Sequence, residues 1–151
     1  MTYLEIQNEV IKNYQIVIVE NSTCKSRTHA HCDGTRRICK WKQANSLQST
    51  FTLLHEIGHI MTKTSKMRRC ESEYYATIWA LEKCKEYNLI ITDKILNLYQ
   101  DYINKELDRG IRRGGLNYNS NYDLSKYNSN EIKELKIKLP KSVNLKKMRI
   151  I

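Results

Sequence analysis

The sequence lacks the features that would direct the protein into or across a membrane. No apolar run among its 151 residues reaches the roughly 20 residues that a membrane-spanning helix requires. The N-terminus has neither the basic start nor the apolar stretch of a signal peptide. The five cysteines are odd in number and are not spaced like the disulfide framework of a secreted domain. These absences predict a cytoplasmic protein without a membrane partner.

The length and composition predict one compact domain with a basic surface. A chain of 151 residues with 40% hydrophobic content can bury one core but not two, and no internal repeat is visible. The formal net charge is +10, with basic clusters at residues 109–113 and 141–149. Neither cluster fits a known nucleic-acid-binding motif, so a solvated basic face is the default and nucleic-acid binding a weak alternative.

The most informative motif is His55-Glu56-Ile57-Gly58-His59. Two histidines at positions i and i+4 project from one face of a helix, close enough for both imidazoles to bind one zinc ion. The glutamate beside the first histidine can then take a proton from a water that the metal activates. The alternative is a chance match on an amphipathic helix, which is disfavoured because the whole chain contains four histidines.

The residues around this motif predict the helix that it requires. An apolar stripe recurs at three- and four-residue steps, formed by Leu47, Phe51, Leu54, Gly58 and Met61. Asn45 or Ser46 can cap its start. A glycine in mid-helix costs roughly 1 kcal/mol relative to alanine, so Gly58 is expected to permit the close approach of another backbone.

A zinc site of this kind needs a third protein ligand, and the next predicted helix, over residues 70–81, offers two carboxylates. Glu73 lies in the first turn of that helix, where the helix dipole favours a negative charge. Glu71 is the competing candidate, and two residues apart on a helix the two side chains point in different directions. Helix phase, together with the resemblance described next, favours Glu73. The alternative is an ordinary pair of solvated acids.

Residues 51–81 resemble the small zinc metallopeptidases of the ImmA/IrrE type, which are gluzincins common on phages and other mobile elements. Those proteins carry a His-Glu-x-x-His helix followed by a helix that opens with Glu-x-x-Ala, matched here by residues 53–59 and 73–80. The chain departs from the family pattern at Tyr74-Tyr75 and at residues 82–84, where the helix runs on. By position, the resemblance implies His55, His59 and Glu73 as zinc ligands.

The resemblance also implies an activity. Glu56 corresponds to the general base, and the reaction is hydrolysis of a protein substrate, such as a DNA-bound repressor or other regulator of a mobile element. Hydrolysis also needs a donor for the oxyanion of the tetrahedral intermediate. Tyr74 and Tyr75 lie near Glu73 in the sequence and are the candidates, although either can instead be a packing residue.

Two β-branched or alternating segments before the motif predict strands, at residues 15–19 and 35–41. In zincin-like folds the strand before the histidine helix often borders the cleft. We therefore expect residues 36–41 to form an edge strand, on which Arg37, Ile38, Cys39 and Lys40 bind an extended substrate through main-chain hydrogen bonds. The alternative is a plain edge strand that its basic side chains keep soluble.

The segment between these strands contains several soft metal ligands: Cys24, His29, His31 and Cys32, with Cys39 following. They offer a second, structural zinc site, but their spacing lacks a paired Cys-x-x-Cys arrangement. A cysteine that reaches the catalytic zinc as an inhibitory ligand is a further alternative. Ordinary loop residues are the default.

The C-terminal part of the sequence divides into a helix and a tail. Thr92 or Asp93 can cap a helix that ends near residue 110. From residue 116 onward the chain is rich in asparagine, tyrosine and lysine, which predicts a mobile or partner-ordered tail with a short docked segment around residues 132–139.

Taken together, the sequence predicts an α+β fold: a minimal zincin-like metallopeptidase domain over residues 1–115, with a small β-sheet packed on the histidine helix, and a basic tail over residues 116–151. The predicted function is a zinc-dependent endopeptidase with one catalytic zinc ion. The alternatives are an inactive zincin-like module that binds zinc and a partner, and a basic nucleic-acid-binding protein.

Overall fold

A computed structural model describes residues 1–19, 31–33, 37–62, 67–114 and 122–124 of the chain. Within these ranges the fold is α+β and mostly helical, which confirms the predicted class. The elements in chain order are α1 (Tyr3–Asn13), β1 (Val17–Val19), β2 (His31–Asp33), β3 (Ile38–Lys40), α2 (Leu47–Met61), α3 (Arg69–Glu86) and α4 (Asp93–Arg112). None of these four helices combines the length and the hydrophobicity needed to cross a membrane.

Three of the four described helices begin at hydroxyl residues that cap their first turn, and in α1 this residue is Thr2. The side chain of Ser46 accepts a hydrogen bond from the main-chain N–H of Ser49 and starts α2. The side chain of Thr92 accepts one from the N–H of Ile95 and starts α4. Each bond satisfies one of the N–H groups that the first turn of a helix leaves without a partner. The sequence offered Asn45 or Ser46 as the cap of α2 and Thr92 or Asp93 as the cap of α4. In both helices the hydroxyl residue is the cap.

The strands form a three-stranded sheet in the order β1-β3-β2. β1 pairs parallel to β3, and β2 pairs antiparallel to β3 with Cys32 opposite Cys39. The expectation that residues 36–41 form an edge strand is therefore wrong. Because β3 has a neighbour on each side, the main chain of Arg37, Ile38, Cys39 and Lys40 cannot serve as a free edge for a substrate. The covering strand, β2, has three residues in a segment that the sequence analysis assigned to a loop.

The sheet packs on α2, which carries the two histidines of the motif. At one end of α2 the indole N–H of Trp41 donates to the carbonyl oxygen of Ser49, at 2.9 Å. At the other end the guanidinium of Arg37 lies 3.3 Å from the sulfur of Met61. β3 thus runs antiparallel to α2 along its length, and the side chain of Cys39 is buried between these two contacts.

The backbones of α2 and α3 approach each other closely at Gly58. A Cβ atom added to this glycine would lie 2.6 Å from the carbonyl oxygen of Ala76 and 3.1 Å from its Cα. Real Cβ atoms do not approach backbone so closely, and a side chain here would push the two helices apart. The expectation that Gly58 permits the approach of another backbone is confirmed.

The packed core continues past the boundary predicted at residue 115. Leu124 is 1% exposed and belongs to the main hydrophobic cluster. The side-chain amide of Gln100 on α4 binds this segment twice: it donates to the carbonyl oxygen of Tyr122 and accepts from the N–H of Leu124. Residues 116–121 and 125–151, including the docked segment predicted at 132–139, lie outside the described residues.

The contact at Gly58 predicts the effect of a single added methyl group. Gly58→Ala should lower the free energy of unfolding by about 1–3 kcal/mol, because overpacking against backbone outweighs the roughly 1 kcal/mol gain in helix propensity. Urea denaturation measures the difference. Asn97→Ala, at an exposed position of α4, is the control and should gain stability. A Gly58→Ala protein as stable as wild type would show that the close contact does not limit the packing of α2 on α3.

Candidate metal site

Three side chains from two helices meet at the centre of the molecule. His55 and His59 lie one turn apart on α2, with ring centroids 4.8 Å from each other. The Nε2 atom of His55 is 2.9 Å from Oε2 of Glu73, and the Nε2 atom of His59 is 3.2 Å from the same oxygen. α3 runs antiparallel to α2, so that its first turns carry Glu73 to the histidine pair.

The geometry and chemistry of this group fit a metal ion. The candidate ligand atoms of His55, His59 and Glu73 all lie within 4.8 Å of one another. Three atoms bound to one tetrahedral zinc ion at about 2.1 Å would be roughly 3.4 Å apart, close to the two nitrogen–oxygen distances. Two imidazoles and one carboxylate are also a donor set that catalytic zinc sites use. These residues can therefore hold a metal ion.

The hydroxyl of Thr77 sets the orientation of His55. Its oxygen lies 2.7 Å from the main-chain carbonyl of Glu73, to which it donates, and 3.1 Å from Nδ1 of His55. Because a hydroxyl has one hydrogen, Thr77 must accept from the Nδ1–H of His55. In the neutral ring the Nε2 atom then presents its lone pair to the carboxylate oxygen of Glu73. Two acceptors face each other at this point, and a bound cation satisfies both.

A second hydroxyl lies beside the other histidine. The Nδ1 atom of His59 is 3.1 Å from Oγ of Ser72 on α3. Both imidazoles thus direct Nε2 towards Glu73 and contact an α3 hydroxyl through Nδ1. Hydrogen bonds of this kind hold a histidine in the ring orientation and tautomer that metal binding needs.

Burial and mutual charge shift the pKa values of all three side chains. Burial lowers the pKa of His55, while the contact with the Glu73 carboxylate acts to raise it. Burial also acts to lower the pKa of His59, but the hydrogen bond and charge of Glu73 outweigh it and raise that pKa. For Glu73, burial acts to raise the pKa, and the contacts and charges of the two histidines outweigh it, so that its pKa lies below the usual range. The carboxylate of Glu73 is therefore ionised at neutral pH.

Glu56 lies between the histidines in the sequence and is nearly buried at 7% exposure. Burial raises the pKa of its carboxyl group to about 8, with the charge of His59 acting to lower it and that of Glu73 to raise it. A carboxyl group whose pKa lies near neutrality is suited to accept and return a proton.

Tyr99 on α4 forms a wall of the site, a role that no sequence pattern indicated. Its ring centroid is 4.7 Å from that of His55 and 4.9 Å from that of Phe51. Its hydroxyl donates to Oγ1 of Thr52 at 3.3 Å. Burial raises the pKa of the Tyr99 phenol, so it is neutral and holds its proton. Thr77 is the other site residue that no sequence pattern indicated.

The structure distinguishes between the sequence candidates around Glu73. Glu73, and not Glu71, joins the histidines, and Glu71 lies near the Tyr122 phenol. The ring of Tyr74 contacts those of Tyr75 and Tyr122, at centroid distances of 5.3 and 5.4 Å. A role of Tyr74 or Tyr75 at the oxyanion stays a prediction.

The second metal site predicted from Cys24, His29, His31, Cys32 and Cys39 falls mainly outside the described residues, as does a cysteine ligand for the catalytic zinc. Residues 24 and 29 lie in the range 20–30, which the structure does not describe, and for residues 31–33 only the backbone is described. Cys39 is buried in the hydrophobic core.

Comparison of the chain with protein-family models, with curated proteins and with solved structures finds no match.

The hydrogen bond between Thr77 and His55 predicts a loss of metal affinity when the hydroxyl is removed. Thr77→Val should raise the dissociation constant for zinc by roughly 10–100-fold, the usual cost of losing a hydrogen bond that orients a ligand. A competition titration against a zinc-binding dye measures the change. Thr62→Val is the matched control. The Thr62 hydroxyl donates to the carbonyl oxygen of Gly58, one turn earlier in its helix, at 2.7 Å, just as the Thr77 hydroxyl donates to that of Glu73. Equal zinc affinity in a folded Thr77→Val protein would contradict this role.

Proposed function

We propose that this protein is a zinc-dependent metallopeptidase of minimal zincin type. The observation that carries the proposal is the meeting of three donor atoms, Nε2 of His55, Nε2 of His59 and Oε2 of Glu73, within hydrogen-bonding distance. Three protein ligands leave a fourth position of a tetrahedral ion open, which is the arrangement of catalytic rather than structural zinc sites. The lone pair that Thr77 directs from His55 into the group supports the same assignment.

Zinc bound at this position would supply a Lewis acid that polarises the scissile carbonyl and makes water more acidic. Glu56 is the residue that takes the proton of the attacking water and passes it to the leaving amine. It is adjacent to His55 and buried beside the ligand group, where the positive charge of a divalent ion favours its ionised form. The carboxylate therefore acts first as a base and then, once protonated, as an acid, and it ends the reaction in its ionised form.

A polypeptide regulator is the proposed class of substrate. This step rests on the resemblance of residues 51–81 to ImmA/IrrE-type peptidases, some of which act on repressors of mobile elements. The formal net charge of +10 would suit work beside DNA, where such a regulator is bound. A cytoplasmic location belongs to the same proposal.

The test of this function is hydrolysis by the zinc-loaded protein and by Glu56→Gln. The probe is a library of peptides from a digested bacterial proteome, in which new termini are detected by mass spectrometry. Wild type should cleave a subset of these peptides. Glu56→Gln should retain zinc and cleave at least about 100-fold more slowly, because an amide cannot accept the proton.

Glu82→Gln on α3 is the matched control, since it makes the same chemical change outside the ligand group and should cleave like wild type. Retained hydrolysis by Glu56→Gln would exclude Glu56 as the base. Full zinc occupancy of the wild type without any cleavage would favour the inactive zinc-binding module. Salt-dependent DNA binding by a protein that takes up no zinc would favour the nucleic-acid-binding alternative.

A further inference from the structure

We infer that Arg69 binds a carboxylate of the substrate, which makes polypeptides with an acidic group beside the scissile bond the preferred substrates. This inference rests on the proposed function, since it assigns a substrate class to the same site. The carboxylate can come from an Asp or Glu side chain or from a free C-terminus, and the experiment below separates these two sources.

Arg69 lies beside the ligand group on α3. It precedes Glu73 by four residues, so that the two side chains lie one above the other on the same face of the helix. The contact with Tyr102 and the charge of Glu106 raise the pKa of the Arg69 guanidinium, and the charge of Glu73 adds a smaller contribution. Arg69 in turn acts to lower the pKa of His59. Even so, the Arg69 side chain is 70% exposed. A guanidinium thus stands at the solvent side of the candidate metal site.

α4 holds this guanidinium in place. The Nε atom of Arg69 is 3.4 Å from Oε2 of Glu106, which is buried and is also bound by Arg109 through its other oxygen at 2.8 Å. Tyr102, one turn before Glu106 on α4, lies beside Arg69 and is 40% exposed. Tyr102 itself follows Tyr99, the wall of the His55 pocket, by three residues. The same face of α4 therefore covers His55 and positions Arg69.

The charge balance at this rim favours an anion. The two positive charges of a bound zinc ion would offset the carboxylates of Glu56 and Glu73. The single carboxylate of Glu106 lies between two guanidinium groups, those of Arg69 and Arg109. One positive charge is left over at the rim.

The form of the guanidinium also suits a carboxylate. It presents a planar set of N–H donors that matches the two oxygens of a carboxylate, and Glu106 engages Arg69 at Nε, away from the end of the side chain. A peptide carboxylate is the ligand that reaches this group while the scissile bond lies at the metal, because Arg69 and Glu73 are one helical turn apart.

The test is the binding of three synthetic peptide hydroxamates to the zinc-loaded protein. They share a metal-binding hydroxamate and one peptide sequence, and differ in ending with Asp-amide, with Asn-amide, or with Asn and a free C-terminal carboxylate. Isothermal titration calorimetry gives the dissociation constants. Wild type should bind at least one of the two carboxylate probes roughly threefold to tenfold more tightly than the neutral probe, the range expected for a partly exposed charged hydrogen bond.

Arg69→Gln should abolish this preference, so that the carboxylate and neutral probes bind with about equal dissociation constants. The affinity for the neutral probe should be unchanged. Arg112→Gln is the matched control: it removes an exposed guanidinium at the end of α4, outside the group formed by Arg69, Glu106 and Arg109, and should keep the preference. Arg69→Lys keeps the positive charge but loses the planar set of N–H donors. This variant should keep part of the preference for the carboxylate probe.

The preferred probe identifies whether the carboxylate is that of a side chain or of a C-terminus. Equal binding of all three probes by wild type would overturn the role of Arg69 and leave the metallopeptidase proposal intact, because the hydroxamate would still bind the metal. A preference that survives in Arg69→Gln would also overturn it. If no hydroxamate bound to a protein shown to contain zinc, the open metal site itself, and with it both proposals, would fail.

Discussion

The contact between the backbones of α2 and α3 at Gly58 is the constraint on which the rest of the site depends. Gly58 immediately precedes His59, and its neighbour Ala76 immediately precedes Thr77. Because no side chain separates the helices here, Glu73 reaches both histidines and Thr77 reaches Nδ1 of His55. A larger spacing would break all of these hydrogen bonds together, since they join the same two helices.

The elements around this helix pair enclose the ligand group and strengthen its electrostatics. The sheet and α1 pack against α2, and α4 packs against α3 and lays Tyr99 on His55. Charges interact more strongly in such a site than in water, because the surrounding protein has a low effective dielectric constant. The pKa values of Glu73 and Glu56 shift in opposite directions for this reason. The carboxylate of Glu73 has two histidines in contact with it, and burial is the main influence on Glu56.

The sequence predicted those parts of the fold that local periodicity and local chemistry encode. The i, i+4 spacing of His55 and His59, the Ser46 cap and the need for a glycine at position 58 are all properties of a single helix. The sequence could not indicate Tyr99 or Thr77 as site residues, because their contacts depend on the register between helices.

β2 was missed for a related reason. A three-residue strand has too short a pattern to be recognised, and its pairing with β3 removed the free edge that the sequence analysis expected. Leu124 shows the same limit, since one apolar residue in a polar segment gives no sign that it is buried.

The measurement that tests the central claim most directly is the zinc content of the purified protein by inductively coupled plasma mass spectrometry. Wild type should contain one equivalent of zinc, and the His55→Ala, His59→Ala double variant should contain none. Glu73→Ala should bind zinc more weakly, and its neighbour variant Glu71→Ala should bind like wild type. A folded wild-type protein that takes up no zinc, or a full equivalent retained by the double variant, would contradict the account.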